Sequence, residues 1–321
     1  MKLTNRGIIY TNWDCNLDCP FCYYKFKEKF QRPLRDIKAD LIKAKFYYKL
    51  DWVDISGGEP LVYKYIEEVL KFCKIIGLKV TLITNGILIN EKIDDLVDEW
   101  LISIHGTKET HDKMIGKPVF NIVERNIKNI KKPFRVNVVV TKDNYKNFPE
   151  HAKYLSELNH KPLQVQYIMF NPFHEFVIEP KIDFLVHPND LAIPLHLTIE
   201  KLKENDIKTV VRYLPFCMLK GHEDVICGMS QIAWDKKEWD WCQQLNLDVR
   251  IRDENQYYKI SRNTVIGNSC HHPKCSECSL RFICDGISMT YLKHFNDLDI
   301  EPYIGKVIFN PIHFKRGEKK C

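Results

Sequence analysis

The chain of 321 residues lacks any apolar run of membrane-spanning length, and its N-terminus, "MKLTNRGIIYTNWDCN", has only a four-residue apolar run before Thr11. A spanning helix takes about 20 apolar residues and a secretory signal an apolar region of roughly 7–15, so neither is expected and a cytoplasmic protein is. Ser/Gly-rich and single-residue tracts and internal repeats are also lacking. With 45% hydrophobic and 28% charged residues, the composition is that of an ordered globular protein. Long blocks of one charge are missing too. The 48 basic and 42 acidic residues give a net charge of +6, relieved only by short basic clusters such as "NIKNIKKPFR" and "HFKRGEKK". That balance describes a solvated mixed-charge surface more than a nucleic-acid binder.

What the sequence does have is cysteine. Seven of its twelve cysteines fall in two tight groups, and in a reducing compartment such spacing means metal or iron–sulfur ligation rather than disulfides. The length suits a main domain with a smaller appendage. Between residues 7 and about 170, short β-rich runs ("GIIYTN", "WVDIS", "KVTLIT", "WLISIH", "RVNVVVT", "VQYIMF") alternate with helical periods at Lys38 to Leu50, Tyr63 to Ile76, Ile93 to Glu99 and Val119 to Ile130. Strands alternating with helices imply a parallel sheet, and six such units suggest a partial (β/α)6 TIM-like barrel. Further on, "PLHLTIEKLKEND" reads as a helix and "IKTVVRYLPF" as a strand. From Cys217 the regular period fades and a small C-terminal cluster-binding domain is expected, giving domains over 1–215 and 216–321.

In such barrels chemistry sits at the carboxyl ends of the strands. "DCNLDCPFC" follows the first expected strand, "SGGEP" the second, "TNG" the third, "SIHG" the fourth and "FNP" the sixth. Cys15, Cys19 and Cys22 can wrap one corner of a metal cluster from a single loop. A structural zinc would close its shell with a fourth nearby Cys or His, and the loop contains none. Three protein ligands leave one metal position open.

These residues resemble the signature of radical S-adenosylmethionine (radical SAM) enzymes. The resemblance covers about Gly7 to Pro172. It implies a 4Fe-4S cluster on Cys15, Cys19 and Cys22 whose open iron chelates SAM. One-electron reduction by an external flavodoxin- or ferredoxin-type donor then cleaves SAM to a 5′-deoxyadenosyl radical that abstracts a substrate hydrogen. Gly57, Gly58, Glu59 and Pro60 are similar to the segment that takes the SAM amino group, where glycines admit close backbone approach. Thr84, Asn85 and Ser103 match positions lining the carboxylate and ribose in relatives. Asn137 and the strand around Ile168 and Met169 correspond to ribose and adenine contacts. One departure stands out: relatives carry an Arg shortly after the "HD" pair, where this chain has Met114 and Ile115, with Lys113, Lys117 or Arg125 as substitutes.

"CHHPKCSECSLRFICDG" supplies Cys270, Cys275, Cys278 and Cys284. Its CxxCx5C core resembles the cysteine motif of SPASM and twitch domains, which implies an auxiliary 4Fe-4S cluster. Ser288 stands where a full SPASM domain has a further Cys, so one auxiliary cluster is expected. Cys217 is the first choice for its fourth ligand, then Cys270 and Cys321, with Cys227 and Cys242 open. Cys73 reads as a small buried apolar residue. Zinc, with Cys270, His271 or His272 completing the shell, is the rival.

His105 and His111 flank the fourth strand's exit and read first as hydrogen-bonded structural residues. Trp13, Tyr23, Tyr24 and Phe170 read as packing. Asp235 to Cys242 is a candidate substrate entrance and Asp285 a candidate proton acceptor. The expected function is therefore a radical SAM oxidoreductase or maturase, with peptide crosslinking or dehydrogenation ranked first. No stretch before the first strand resembles a peptide-binding wing, which keeps a sugar, nucleotide or other small polar metabolite as the alternative. A zinc-dependent nucleic-acid or protein-binding module is the non-enzymatic one.

Overall fold

The computed structural model describes residues 5–22, 29–170, 181–228 and 269–315. Eight strands form one parallel sheet in chain order: β1 (Arg6–Tyr10), β2 (Trp52–Ser56), β3 (Lys79–Thr84), β4 (Glu99–Ser103), β5 (Phe134–Val140), β6 (Gln164–Met169), β7 (Lys208–Arg212) and β8 (Ile226–Cys227). The six expected strands lie within a residue or two of their sequence positions, and β7 and β8 extend the row in the same direction. Because β8 falls after residue 215, the sheet runs past the point where the sequence suggests a boundary.

The helices cover one face of this sheet. They are α1 (Leu34–Ile42, running into a wider π-type turn over Lys43–Tyr47), α2 (Ile66–Ile75), α3 (Glu91–Asp94), α4 (Lys108–Ile115), α5 (Phe120–Asn129), α6 (Phe148–Ser156) and α7 (Ala192–Lys203). Of the helix expected over Ile93–Glu99 only Ile93 and Asp94 are helical, at the end of α3: Asp98 accepts from Val80 N–H at 2.9 Å and Glu99 already belongs to β4. Alternate strand residues such as Ile55, Leu82, Trp100, Val136, Val138 and Tyr167 enter one continuous apolar core beneath the helices.

The other parity forms the concave face, and its deep end is polar. Arg6 bonds Asp54 at 2.7 Å and Thr81, Thr81 donates to Glu99, and Arg135 meets Glu99 at 2.7 Å. All five side chains are buried, so each charge has an opposite charge or a donor in reach. The upper end of this face carries Ser103, Asn137 and Gln166, side by side in the β4–β5–β6 register.

A small C-terminal unit stands over the strand exits. Ser269–Cys270 (β9) pairs antiparallel with Ile287–Ser288 (β10), followed by α8 (Met289–His294). Tyr291 ties it to the sheet by donating its hydroxyl to the Phe170 carbonyl at 2.9 Å.

Candidate functional site

The first cysteine loop is fastened to the sheet by its own backbone. Trp13 N–H donates to Phe30 O at 2.7 Å, Gly58 N–H to Asn12 O at 2.8 Å and Glu59 N–H to Asp14 O at 2.8 Å. A Cβ on Gly58 would lie 2.3 Å from the Asp14 carbonyl oxygen, and one on Gly57 2.6 Å from Asn12 Oδ1. The two glycines let the exit of β2 press against the segment that carries Cys15. Close approach is what the sequence implies for them, and the partner here is the chain itself.

Glu59 joins the exits of β2 and β3. Its carboxylate accepts from Leu61 N–H at 3.1 Å, from Thr84 Oγ1 at 2.8 Å and from Asn85 N–H at 2.8 Å. Burial pushes its carboxyl up to about 7, and the Asn85 and Leu61 amides and the Thr84 hydroxyl hold it back. The Thr84 hydroxyl is thereby committed within the protein. Asn85 donates its side-chain amide to Asn16 Oδ1 at 2.7 Å, reaching the loop between Cys15 and Cys19.

Cys22 N–H donates to Cys19 O at 3.0 Å, a tight turn that gathers the thiols on one side. Burial pushes Cys15 up to about 11, with Glu59 and Cys22 adding to the rise, and Cys19 up to about 12, with Cys22 and Cys15 adding to it. Such thiols stay protonated until a cation compensates them, which is the donor chemistry of a metal cluster. Phe21 lays its ring edge-on against His105 at 5.1 Å. The imidazole accepts from Val139 N–H at 3.2 Å, while His111 Nδ1 accepts from His105 N–H at 3.1 Å. Burial lowers both histidines, His111 to about 4, so they serve as neutral acceptors.

The neighbourhood of the "HD" pair is structural. Asp112 accepts from Val119 and Phe120 N–H, both at 2.8 Å, at the start of α5, and Met114 and Ile115 are buried. Of the three cationic substitutes, Lys113 pairs with Asp143 at 2.8 Å on the surface and Lys117 and Arg125 are exposed. On the concave face the structure adds two residues the sequence reading missed. Gln166 and Arg212 are both buried, on the Asn137 side of β6 and β7. The polar alternation at the start of "QVQYIM" hints at Gln166, whereas "TVVRY" does not alternate and gives no such signal for Arg212. The Oδ1 of Asn137 is buried without a hydrogen-bond partner, so an acceptor faces the place where a ligand would lie.

The second group converges as well. Cys217, Cys270, Cys275, Cys278 and Cys284 line one cavity in the C-terminal unit. Burial pushes Cys217 up to about 12, with Cys284, Cys275 and Cys278 adding to the rise; burial also raises Cys270, which in turn acts on Cys275. Cys217 thus faces the three motif thiols. No three His, Cys, Asp or Glu side chains among the described residues converge at single-ion distance. Cys227 is buried in β8 and Cys73 in α2. Tyr23, Tyr24, Asp235 to Cys242 and Cys321 lie outside the described residues.

A concave parallel sheet presents three thiols at its first exit with two fastened turns beside them. Residues 9–155 match the Radical SAM superfamily, and the chain carries a radical SAM domain. Over 320 residues it is 23% identical to the "Tungsten-containing aldehyde ferredoxin oxidoreductase cofactor-modifying protein" of Pyrococcus furiosus, covering 86% of this chain and 87% of that one. It is 27% identical to a "Probable GTP 3′,8-cyclase" of Methanocaldococcus jannaschii over 54% of this chain and 61% of that one. The chain spans about half the length of the first curated relatives it matches. Among solved structures, "Native anSMEcpe with bound AdoMet and Cp18Cys peptide" shares the fold with a TM-score of 0.62 at 18% identity, over 93% of this chain and 92% of that one. No helix among the described residues is long and apolar enough to cross a membrane.

Proposed function

We propose that the protein is a radical SAM enzyme with one auxiliary iron–sulfur cluster, and that it modifies a peptide by crosslinking or dehydrogenation. The observation that carries the two-cluster reading is the meeting of Cys217 with the CxxCx5C thiols in a cavity over the strand exits. Cys15, Cys19 and Cys22 would hold the first cluster, and Cys217, Cys275, Cys278 and Cys284 the second. When bound, the first cluster and SAM supply the reductive cleavage and the hydrogen abstraction, with electrons from a flavodoxin- or ferredoxin-type donor.

The chain's own part is placement. Glu59 locks the exits of β2 and β3 together, Asn85 holds the cysteine loop, and Gly57 and Gly58 keep that loop against the sheet. Ser103 and Asn137 face a ligand from the concave face, and the buried Asn137 oxygen asks for a donor. Peptide modification is supported by the fold shared, over nearly the whole chain, with a peptide-bound enzyme. The relatives named for a cofactor and for GTP support a small-metabolite alternative, an oxidation or rearrangement.

The test is anaerobic reconstitution with iron and sulfide counts, then dithionite and SAM while 5′-deoxyadenosine is followed. Two clusters correspond to about eight irons. Cys22→Ala is expected to abolish SAM cleavage and remove about half of the iron, and Cys217→Ser to remove the other half while the N-terminal cluster stays. Zinc in place of iron and no cleavage would overturn the enzyme reading. Iron retained in full by Cys217→Ser would overturn the ligand assignment alone.

A further inference from the structure

The half-barrel and the C-terminal unit border a second, partly open cavity where β6 and β7 end. Met169 and Phe170 close it from the β6 side, Leu214 and Pro215 from the turn after β7, and Ile287 from β10. Chemistry in this class of barrel takes place at these strand ends, so the cavity opens where a substrate must lie.

Its polar groups are few and largely engaged. The Tyr291 hydroxyl donates to Phe170 O at 2.9 Å, and Ser288 Oγ accepts from Thr290 N–H at 3.3 Å at the start of α8. No Lys, Arg, His, Asp or Glu lines it among the described residues. A phosphate or a sugar placed here would lose its water without gaining cations or a set of hydrogen bonds. A small apolar recess of this kind suits one side chain better than a nucleotide, which needs cations or hydrogen-bond partners for its phosphates.

The backbone at the rim is itself unusual. Tyr213 has φ +66°, a left-handed conformation that a bulky residue rarely adopts. Strain of this kind survives where the surroundings over-determine it, commonly at ligand sites. The turn directs the chain from Arg212, on the concave face, to Cys217 in the cysteine cavity, and leaves Tyr213 lining both the seam cavity and the neighbouring pocket that holds Cys284 and Asp285.

We infer that the seam cavity is a specificity subsite that takes an aliphatic or aromatic side chain of a peptide substrate and so anchors the peptide over the strand exits. The inference rests on the peptide reading above and adds which residue class the enzyme selects. Burying one such side chain in a dry pocket corresponds to roughly 10- to 100-fold in affinity.

The probe is a randomised peptide library displayed on its encoding nucleic acid, selected anaerobically on the reconstituted holoenzyme with SAM present. Enriched peptides are expected to share Leu, Ile, Phe or Tyr at one position. Leu214→Phe, which fills the cavity, should move that preference to Ala or Val and weaken Phe-containing peptides about tenfold. Leu214→Ala should move it toward the larger rings. Iron content equal to the wild type's establishes that each variant folds. Enriched peptides with no apolar position, or a preference that neither variant moves, would overturn the subsite while leaving the peptide reading intact. No enrichment at all, together with saturable binding of GTP to the same preparation, would overturn both.

Discussion

Glycine 58 shows how far a single hydrogen atom can matter. Its added Cβ would stand 2.3 Å from Asp14 O and 2.5 Å from Trp13 O, both backbone atoms of the cysteine loop, which have no flexible end to give way. Gly58→Ala is therefore expected to displace the loop, halve the iron content and abolish SAM cleavage while far-ultraviolet circular dichroism stays near the wild type's. Full iron in that variant would show that the loop tolerates the shift. Glu59 and Asn85 act through the same contact from the other side, which is why residues of "GGEP" and "TNG" matter here even without a ligand in view. The sequence places them at strand exits, but their mutual hydrogen bonds cannot be read from spacing.

Helix α5 illustrates what elements contribute. Phe120, Val123 and Ile127 bury one face in the core, as helical period predicts, and two further contacts lock the helix in place. Asp112 caps its first turn, and Asn126 donates its amide to the Gly86 and Ile87 carbonyls at 2.8 and 3.0 Å, holding the "TNG" turn. Asp112→Ala leaves two amides without their acceptor and is expected to cost about 1–2 kcal/mol, read as a lowered denaturation midpoint. An unchanged midpoint would show that water replaces the carboxylate freely. The "HD" pair thus serves the fold, His111 by accepting from His105 N–H and Asp112 by capping. Family resemblance points to this region for a carboxylate grip, yet the cationic groups nearby are turned to solvent.

In the molecule as a whole, buried histidines link stability to pH. His151 is fully buried, neither ring nitrogen has a hydrogen-bond partner, and burial lowers it to about 3, with His111 adding to the fall. His111 is lowered to about 4 by the same burial. Below about pH 6.5 the unfolded chain binds protons that the folded one refuses, so their contribution is complete above that pH and is lost as pH falls toward 4. Between pH 7 and 5 each is expected to remove about 2 kcal/mol of stability, at about 1.4 kcal/mol per pH unit. His151→Leu should flatten this slope by one histidine's share and leave the protein as stable or more so at pH 7, since an unbonded imidazole gains nothing over an apolar side chain. Denaturant titrations of both proteins at pH 5 and 7 decide this, and parallel slopes would refute it.

The limits of the first six strands, to within a residue or two, and the three-thiol loop were determined by the sequence alone, because each is a local property; the end of β7 and the whole of β8 were not. Alternation, period and spacing act within a dozen residues, and neighbouring units of a parallel sheet follow in chain order. What only the tertiary structure decided is which groups, distant in the chain, share a space. The meeting of Cys217 with Cys275, Cys278 and Cys284 is one case, set by the turn at Tyr213 and the seating of the C-terminal unit on β6 through Tyr291. The burial of Gln166 and Arg212 on the concave face is another, because the faces of a strand are assigned by what packs against each one. The partner of Gly57 and Gly58 is a third: a sequence shows that something must come close, and the folded chain shows that the something is Asn12 to Asp14.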